Sequence, residues 1–252
     1  MLHKIEKPDD RPVICTISGN AGLGKTSLAA TFPKPIFIRV EDGLQSIPVS
    51  HRPDAFPILS SVDDLWDQLD ALKDEPHEYK TLVIDSITQL DTMLQQYIVE
   101  TDTKKPSSIN QALGGYGAGY AALAGMHGCV RKYASQLNNK GMHVVFIAHS
   151  DTETVDLPDQ DAFSIYSIRI HKKSISHYID NVDIVGFIRL ETFTTGEGDR
   201  KKAISDGSRV ITCHAIASAV SKNRYGITED LPLIRGKNPF MGIIPTLTGD
   251  KK

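Results

Sequence analysis

Runs of apolar and β-branched residues along the chain alternate with stretches in which apolar positions recur at helical spacing. Residues 13–17 (VICTI), 35–40 (PIFIRV), 81–86 (TLVIDS) and 143–149 (HVVFIAH) carry apolar side chains on successive positions, the pattern of strands covered on both faces. Between them, Val62, Leu65, Trp66, Leu69 and Leu72 fall on one helical stripe, opened by Ser61 with Asp64 in the capping-box position. A second stripe runs through Ile87, Leu90, Leu94, Tyr97 and Ile98, and a third helix is predicted over 121–139, closed by Gly141. A shorter helix over 25–32 stops at Pro33. Strand and helix in alternation predict an α/β fold, a mostly parallel central sheet with helices on both faces.

The second half is less regular. Strands resume at 165–170 and 183–191, separated by His171-Lys172-Lys173 and a short helical stretch. Turn glycines around Arg200-Lys201-Lys202 and a last strand at 209–214 predict a C-terminal β-hairpin and antiparallel extension. Residues 1–12 read as a leader, 13–233 as a single domain, and 234–252, with Pro239 and Pro245, as an extended tail. The Gly- and Ser-rich segment 101–120 reads as the most flexible part of the first half. Residues 150–162 read as a loop with five carboxylates, Asp151, Glu153, Asp156, Asp159 and Asp161.

The first strand breaks into Gly19-Asn20-Ala21-Gly22-Leu23-Gly24-Lys25-Thr26-Ser27, and a helical pattern resumes at once. This is G-x-x-x-x-G-K-[ST] in strand–loop–helix context, the signature of a phosphate loop, and it predicts binding of a nucleoside triphosphate. Glycines let successive backbone N–H groups curl around a polyphosphate, and the following helix turns its positive end toward the anion. Lys25 can reach the β- and γ-phosphates, and the Thr26 hydroxyl can ligate Mg²⁺. The alternative is a glycine-rich turn that happens to precede a lysine. Asp85 ends a buried strand, the pattern of a Walker B carboxylate that holds Mg²⁺ through water. Such a position lies where phosphates sit in open α/β sheets. Alone, it could equally begin a turn.

Composition sets outer bounds. With 252 residues the chain can bury a full core as one domain, and 40% hydrophobic with 23% charged residues fits a globular protein. A net charge of −3 supplies no general attraction to nucleic acid, so any such contact must be local. No apolar run approaches a membrane span and the first residues lack a signal-peptide stretch, so a cytoplasmic protein without a membrane partner is expected. Cys15, Cys129 and Cys213 have no metal-ligand spacing, and Cys15 and Cys213 fall inside strand-like runs as core thiols.

Taken together, the GNAGLGKT loop, the strand ending RVEDG, TLVIDS, HVVFIAH and the late KNRYG resemble the RecA class of P-loop ATPases. TFPKPIFI, GGYGAGY and IRIHKK followed by DIVGF are similar, more narrowly, to short phage-encoded RecA/RadA-like ATPases associated with single-strand annealing and recombination. The resemblance covers about residues 12–233 and implies a RecA-like core, ATP and Mg²⁺ as cofactors, and the cytoplasm of an infected bacterial host as setting. It implies Glu41 as the residue that polarises the attacking water, with Asp42 a neighbouring competitor. His149 occupies the place of a γ-phosphate sensor that is often Gln, and a hydrogen-bonded structural histidine is the alternative. Lys222 and Arg224 resemble a K-x-R pair that reaches a neighbouring subunit's nucleotide, which implies a homo-oligomer with ATP at subunit interfaces. A solvated basic turn is the alternative.

The same resemblance implies single-stranded DNA as a partner, and a single-strand-binding protein as a further one. Lys104, Lys105, Tyr116 and Tyr120 stand where the first DNA loop of RecA falls, and Arg200, Lys201 and Lys202 form a second candidate. Ordinary surface lysines on a mobile loop would look alike. The acidic stretch 150–162 stands where a second DNA loop is expected and would repel phosphates. That departure keeps a second function open, a nucleotide-dependent switch or loader acting on a replication or recombination protein.

Overall fold

The computed structural model describes residues 9–158, 160–191, 193–195, 202–204 and 207–247. Four apolar runs become the parallel strands β1 (Ile14–Gly19), β2 (Pro35–Arg39), β4 (Thr81–Asp85) and the first part of β5 (His143–Leu157). A two-residue β3 (Asp54–Ala55) pairs with β2, and β7 (Ile184–Leu190) joins on the other side of β1. β10 (Arg209–Thr212), β11 (Lys222–Asn223) and β12 (Leu231–Pro232) close that side with antiparallel pairings. The path β12-β10-β7-β1-β5-β4-β2-β3 is therefore parallel in its centre and antiparallel at its C-terminal edge, as expected.

Strand order follows from what each side chain must bury. Leu82 and Ile84 of β4 join Val144 and Phe146 of β5 in a core with α2 (Val62–Asp74), α3 (Ile87–Thr101) and α4 (Ala118–Asn139). Val83, Val145 and Ile147 face the opposite layer, formed by α1 (Lys25–Ala29), Phe32 and Phe240. Both faces of each central strand are thus covered, which is why their sequences are continuously apolar. Ser61 and Asp64 close the α2 capping box, the Asp64 N–H reaching Ser61 Oγ at 3.1 Å and the Ser61 N–H reaching Asp64 Oδ2 at 3.0 Å. Trp66 belongs to the core layer, its ring stacked on Tyr133 at 6.0 Å.

Three expectations change. Residues 150–157 are no loop: β5 runs on and pairs antiparallel with β6 (Gln160–Ile168) as a two-stranded ribbon, with Asp151, Glu153, Asp156 and Asp161 exposed. Threonine and valine alternate with the carboxylates there, a pattern that suits a strand open to water. Segment 101–120 is tied down: the Asp102 carboxylate accepts the N–H groups of Lys104 and Leu113, and Ile109 and Ala112 are buried. α4 consequently starts at Ala118, three positions before the predicted 121. The C-terminal tail folds back, Phe240, Ile244 and Leu247 being buried in the second core through a series of turns. Their apolar side chains have a layer to cover, so prolines there mark turns, not extension.

β8 (Phe193–Thr195) and β9 (Lys202–Ile204) form the expected hairpin, and Arg200 and Lys201 lie outside the described residues, while Lys202 opens β9. A short α5 (Ser176–Ile179) leads into β7. Among the described residues no helix is long and apolar enough to cross a membrane.

Candidate active site

β1 and β4 are not neighbours; β5 lies between them, so the ends of β1, β5, β4 and β2 converge along one edge of the sheet. The register places Gly19 beside His149 and Asp85 beside Ile147, with Arg39 beside Asp85 on the next strand. A cleft of about 580 Å³ opens at this edge, lined by the phosphate loop, Glu41, Asp85 and His149. Carboxyl ends of parallel strands are where open α/β sheets bind ligands.

The loop keeps its shape through its own backbone. Gly24 caps α1 with φ of 94°, and a side chain there would sit 2.9 Å from the Arg209 guanidinium. Gly19, Asn20, Ala21, Gly22 and Leu23 complete the turn, and Thr26 and Ser27 enter the helix. Lys25 is buried and bends back over the loop, its ammonium donating to the carbonyls of Gly19 and Asn20, each at 2.9 Å. Burial lowers its pKa, opposed by Asp85 and Glu41 and reinforced by Arg169. Ser150 at the start of the ribbon donates to Asn20 Oδ1 at 2.8 Å, which ties the loop to β5.

The Thr26 hydroxyl donates to Asp85 Oδ2 at 2.7 Å. Burial pushes the Asp85 carboxyl up to about 6, with the Thr26 hydrogen bond working against it. Gly43 leaves room at this pair: a Cβ on it would come 3.0 Å from Asp85 Oδ2 and 3.2 Å from Thr26 Oγ1. One hydroxyl and one carboxylate, with open space before them, suit Mg²⁺, which takes few protein ligands and completes its octahedron with water and phosphate. Among the described residues no group of three or more His, Cys, Asp or Glu could hold a metal by itself. The site fits an ion brought by a nucleotide.

Glu41 and Asp42 both line the cleft, and Glu41 is the one whose charge acts on Asp85. Glu41 Oε1 lies 3.3 Å from His149 Nε2, and that hydrogen bond holds its carboxyl below the ordinary carboxylate range, burial opposing and Ser86 adding to the effect. Asp42 is occupied locally, accepting from Gln45 at 2.6 Å and pairing with Arg39 at 3.6 Å. His149 is held at both ends, its N–H donating to Thr88 Oγ1 at 2.9 Å and its carbonyl accepting from Arg169 at 2.8 Å.

The other candidates sit elsewhere. Lys222 and Arg224 are at the opposite edge of the sheet, where the Lys222 ammonium donates to the Asp180 carbonyl at 2.6 Å and Arg224 pairs with Asp183 at 3.1 Å. Asp183 is a buried carboxylate that also holds Arg11 at 2.9 Å and the Ile14 N–H at 2.9 Å. Lys104, Lys105 and Tyr116 are exposed, Tyr116 fully, with its backbone at φ of 52°. Tyr120 is not free in the same way: its ring is stacked on His171 at 4.0 Å and packs against the core. A histidine two strands away covers it, which its own sequence neighbourhood does not reveal.

Sequence reasoning passes over three parts of this edge. Arg209 donates to the Leu23 carbonyl at 3.3 Å, Arg169 lies close enough to oppose the charge on Lys25, and Leu233–Lys237 line the cleft. Only the position of Arg209 at the start of a predicted strand hinted at such a role.

A family model described as an AAA domain matches residues 11–225. No protein with a curated description matches the chain in sequence. Among solved structures, the chain is similar to a KaiC-like protein from the hyperthermophilic archaeon Pyrococcus horikoshii, at 12% identity and a TM-score of 0.44, over 88% of this chain and 85% of that one. The family match begins just before β1, takes in the phosphate loop, Glu41, Asp85 and His149, and ends at the turn after Arg224, so the chain belongs to this AAA-domain family of P-loop ATPases.

Proposed function

We propose that the protein is a Mg²⁺-dependent ATPase that works as a homo-oligomer on single-stranded DNA, promoting annealing during recombination of the phage type. The observation that carries the catalytic part is the convergence of Lys25, Thr26, Asp85, Glu41 and His149 at one sheet edge, with Thr26 and Asp85 in direct contact at 2.7 Å.

Loop amides and Lys25 bind the triphosphate tail, and Thr26 and Asp85 are the residues that would hold Mg²⁺. Bound there, the ion would supply positive charge against the negative charge that develops on the phosphates. Glu41, kept ionised by its His149 contact, accepts the proton of the attacking water and orients it. His149 joins that carboxylate to β5 and so to the ribbon that follows, a route by which nucleotide state reaches the surface. Lys222 and Arg224 reach the nucleotide of a neighbouring copy, completing the charge stabilisation in trans.

Fully exposed Tyr116, set on a backbone at positive φ and near Lys173, supports single-stranded DNA as the coupled ligand. The exposed acidic ribbon directly after His149 favours a second reading, coupling to a basic protein partner. Phosphate release from ATP, measured with and without an oligonucleotide over a salt series, separates them. Stimulation that falls steeply with salt supports DNA. Hydrolysis indifferent to oligonucleotide at low salt, with no retention of the labelled strand, favours the protein partner.

A further inference from the structure

We infer that Leu233–Lys237 form the nucleoside wall of the cleft, with Ile234 against the base and Arg235 and Lys237 against the phosphates nearest the ribose. The inference rests on the ATPase reading above and adds to it residues outside the matched range 11–225.

The segment is pinned at both ends. Upstream, β12 pairs with β10 and the Leu233 N–H donates to the Arg209 carbonyl at 2.8 Å. Downstream, Phe240 is fully buried with its ring 6.3 Å from Phe32, which follows the phosphate-loop helix α1. Between these anchors Leu233–Lys237 line the same cleft as the phosphate loop. A stretch held this way keeps its side chains in place for a ligand, without a closing motion to oppose binding.

The lining carries the carboxylates of Glu41, Asp42 and Asp85 together with the cations Lys25, Arg209, Arg235 and Lys237. Among the described residues neither the Arg235 nor the Lys237 side chain has an ion-pair or hydrogen-bond partner, and both are exposed. Unpaired cations lining the same cleft as a phosphate loop match a polyphosphate ligand. Ile234, 53% exposed, belongs to that lining too, an apolar side chain among charged ones. A planar base laid on it would remove that apolar surface from water, which a bare polyphosphate could not do.

Calorimetric titration with ATP and with inorganic tripolyphosphate, both with Mg²⁺, tests this in three proteins. These are the wild type, Ile234→Ser, and the pair Arg235→Ala with Lys237→Ala. All three substituted side chains are exposed, so the fold is not at stake. Ile234→Ser should weaken ATP about tenfold and leave tripolyphosphate within about twofold, since the neutral change removes the platform of the base and adds no charge. The double variant should weaken both ligands about tenfold. Equal loss of ATP and tripolyphosphate in Ile234→Ser, or unchanged ATP affinity in both variants, overturns this inference alone. A wild type that takes neither ligand overturns the ATPase reading together with it.

Discussion

Glu41 Oε1 lies 3.3 Å from His149 Nε2, a contact between the turn just past β2 and the middle of β5, across the intervening β4. It gives two adjacent carboxylates different partners, because Asp42 pairs with Gln45 and Arg39. Glu41→Gln should therefore bind ATP normally while turnover falls by about 10²–10⁴-fold, the usual worth of a positioned base. Asp42→Asn should change turnover by no more than about threefold, the size of a lost surface ion pair. Steady-state phosphate release gives both numbers, and the reverse ranking would assign the role to Asp42.

Thr26 and Asp85 share one hydrogen bond in front of Gly43. Thr26→Ala removes the proposed metal ligand and leaves the buried Asp85 carboxyl without its donor. The Mg²⁺ concentration needed for half-maximal hydrolysis should rise about tenfold or more, in line with the loss of one ligand or its support. A Mg²⁺ titration at saturating ATP reads it directly, and an unshifted midpoint would place the metal elsewhere.

Arg224 is held by Asp183 in its own subunit, yet Arg11 also occupies that carboxylate, so removing Arg224 leaves Asp183 paired. Arg224→Ala should fold and bind ATP, with hydrolysis reduced on the order of 10³-fold if the guanidinium acts across a subunit contact. Mixed with Lys25→Ala protein, it should regain part of the lost activity if the site is shared, since each variant would then spoil a different side of it. Mixtures no more active than their components would argue that Arg224 is structural.

His143 carries a pH dependence of stability. It is buried, its Nδ1 accepts the Val13 N–H at 3.0 Å, and burial pushes its pKa down from 6.5 to about 4. The folded protein keeps the ring neutral, so the unfolded chain takes up the proton first as pH falls. Stability is whole above about pH 6.5 and declines toward pH 4, below which both states are protonated and the loss stops. The full loss is on the order of 3 kcal/mol. Urea unfolding at stepped pH measures it, and His143→Gln should flatten this part of the curve.

Phe240 tests the corrected view of the C-terminal segment. It is fully buried against Phe32, so Phe240→Ala should destabilise by roughly 3–5 kcal/mol, as large core truncations do. An extended tail would lose almost nothing in the same denaturant titration.

The central sheet is legible in the sequence because both of its faces are buried, which writes each strand as an unbroken apolar run. The phosphate loop and the Asp85 position are legible because their residues are close in sequence to the strands that aim them. Contacts set by strand order are not. Arg209 meets Leu23 across 186 residues, and nothing near position 209 announces the partner. The acidic segment 150–157 is misread as a loop because carboxylates are poor strand formers, whereas a solvated ribbon continuing from β5 tolerates them. Tyr120 reads as a free stacking face until His171 is seen lying on it.

The central claim is that a triphosphate is held by the amides of residues 19–27 and the Lys25 ammonium. Titrating Mg²⁺·ATP into the wild type and into Lys25→Ala tests it most directly. Micromolar-range binding by the wild type and at least about a hundredfold loss in the variant is the expected result, as removal of a buried cation from phosphate oxygens requires. Equal affinity in the two proteins would contradict it.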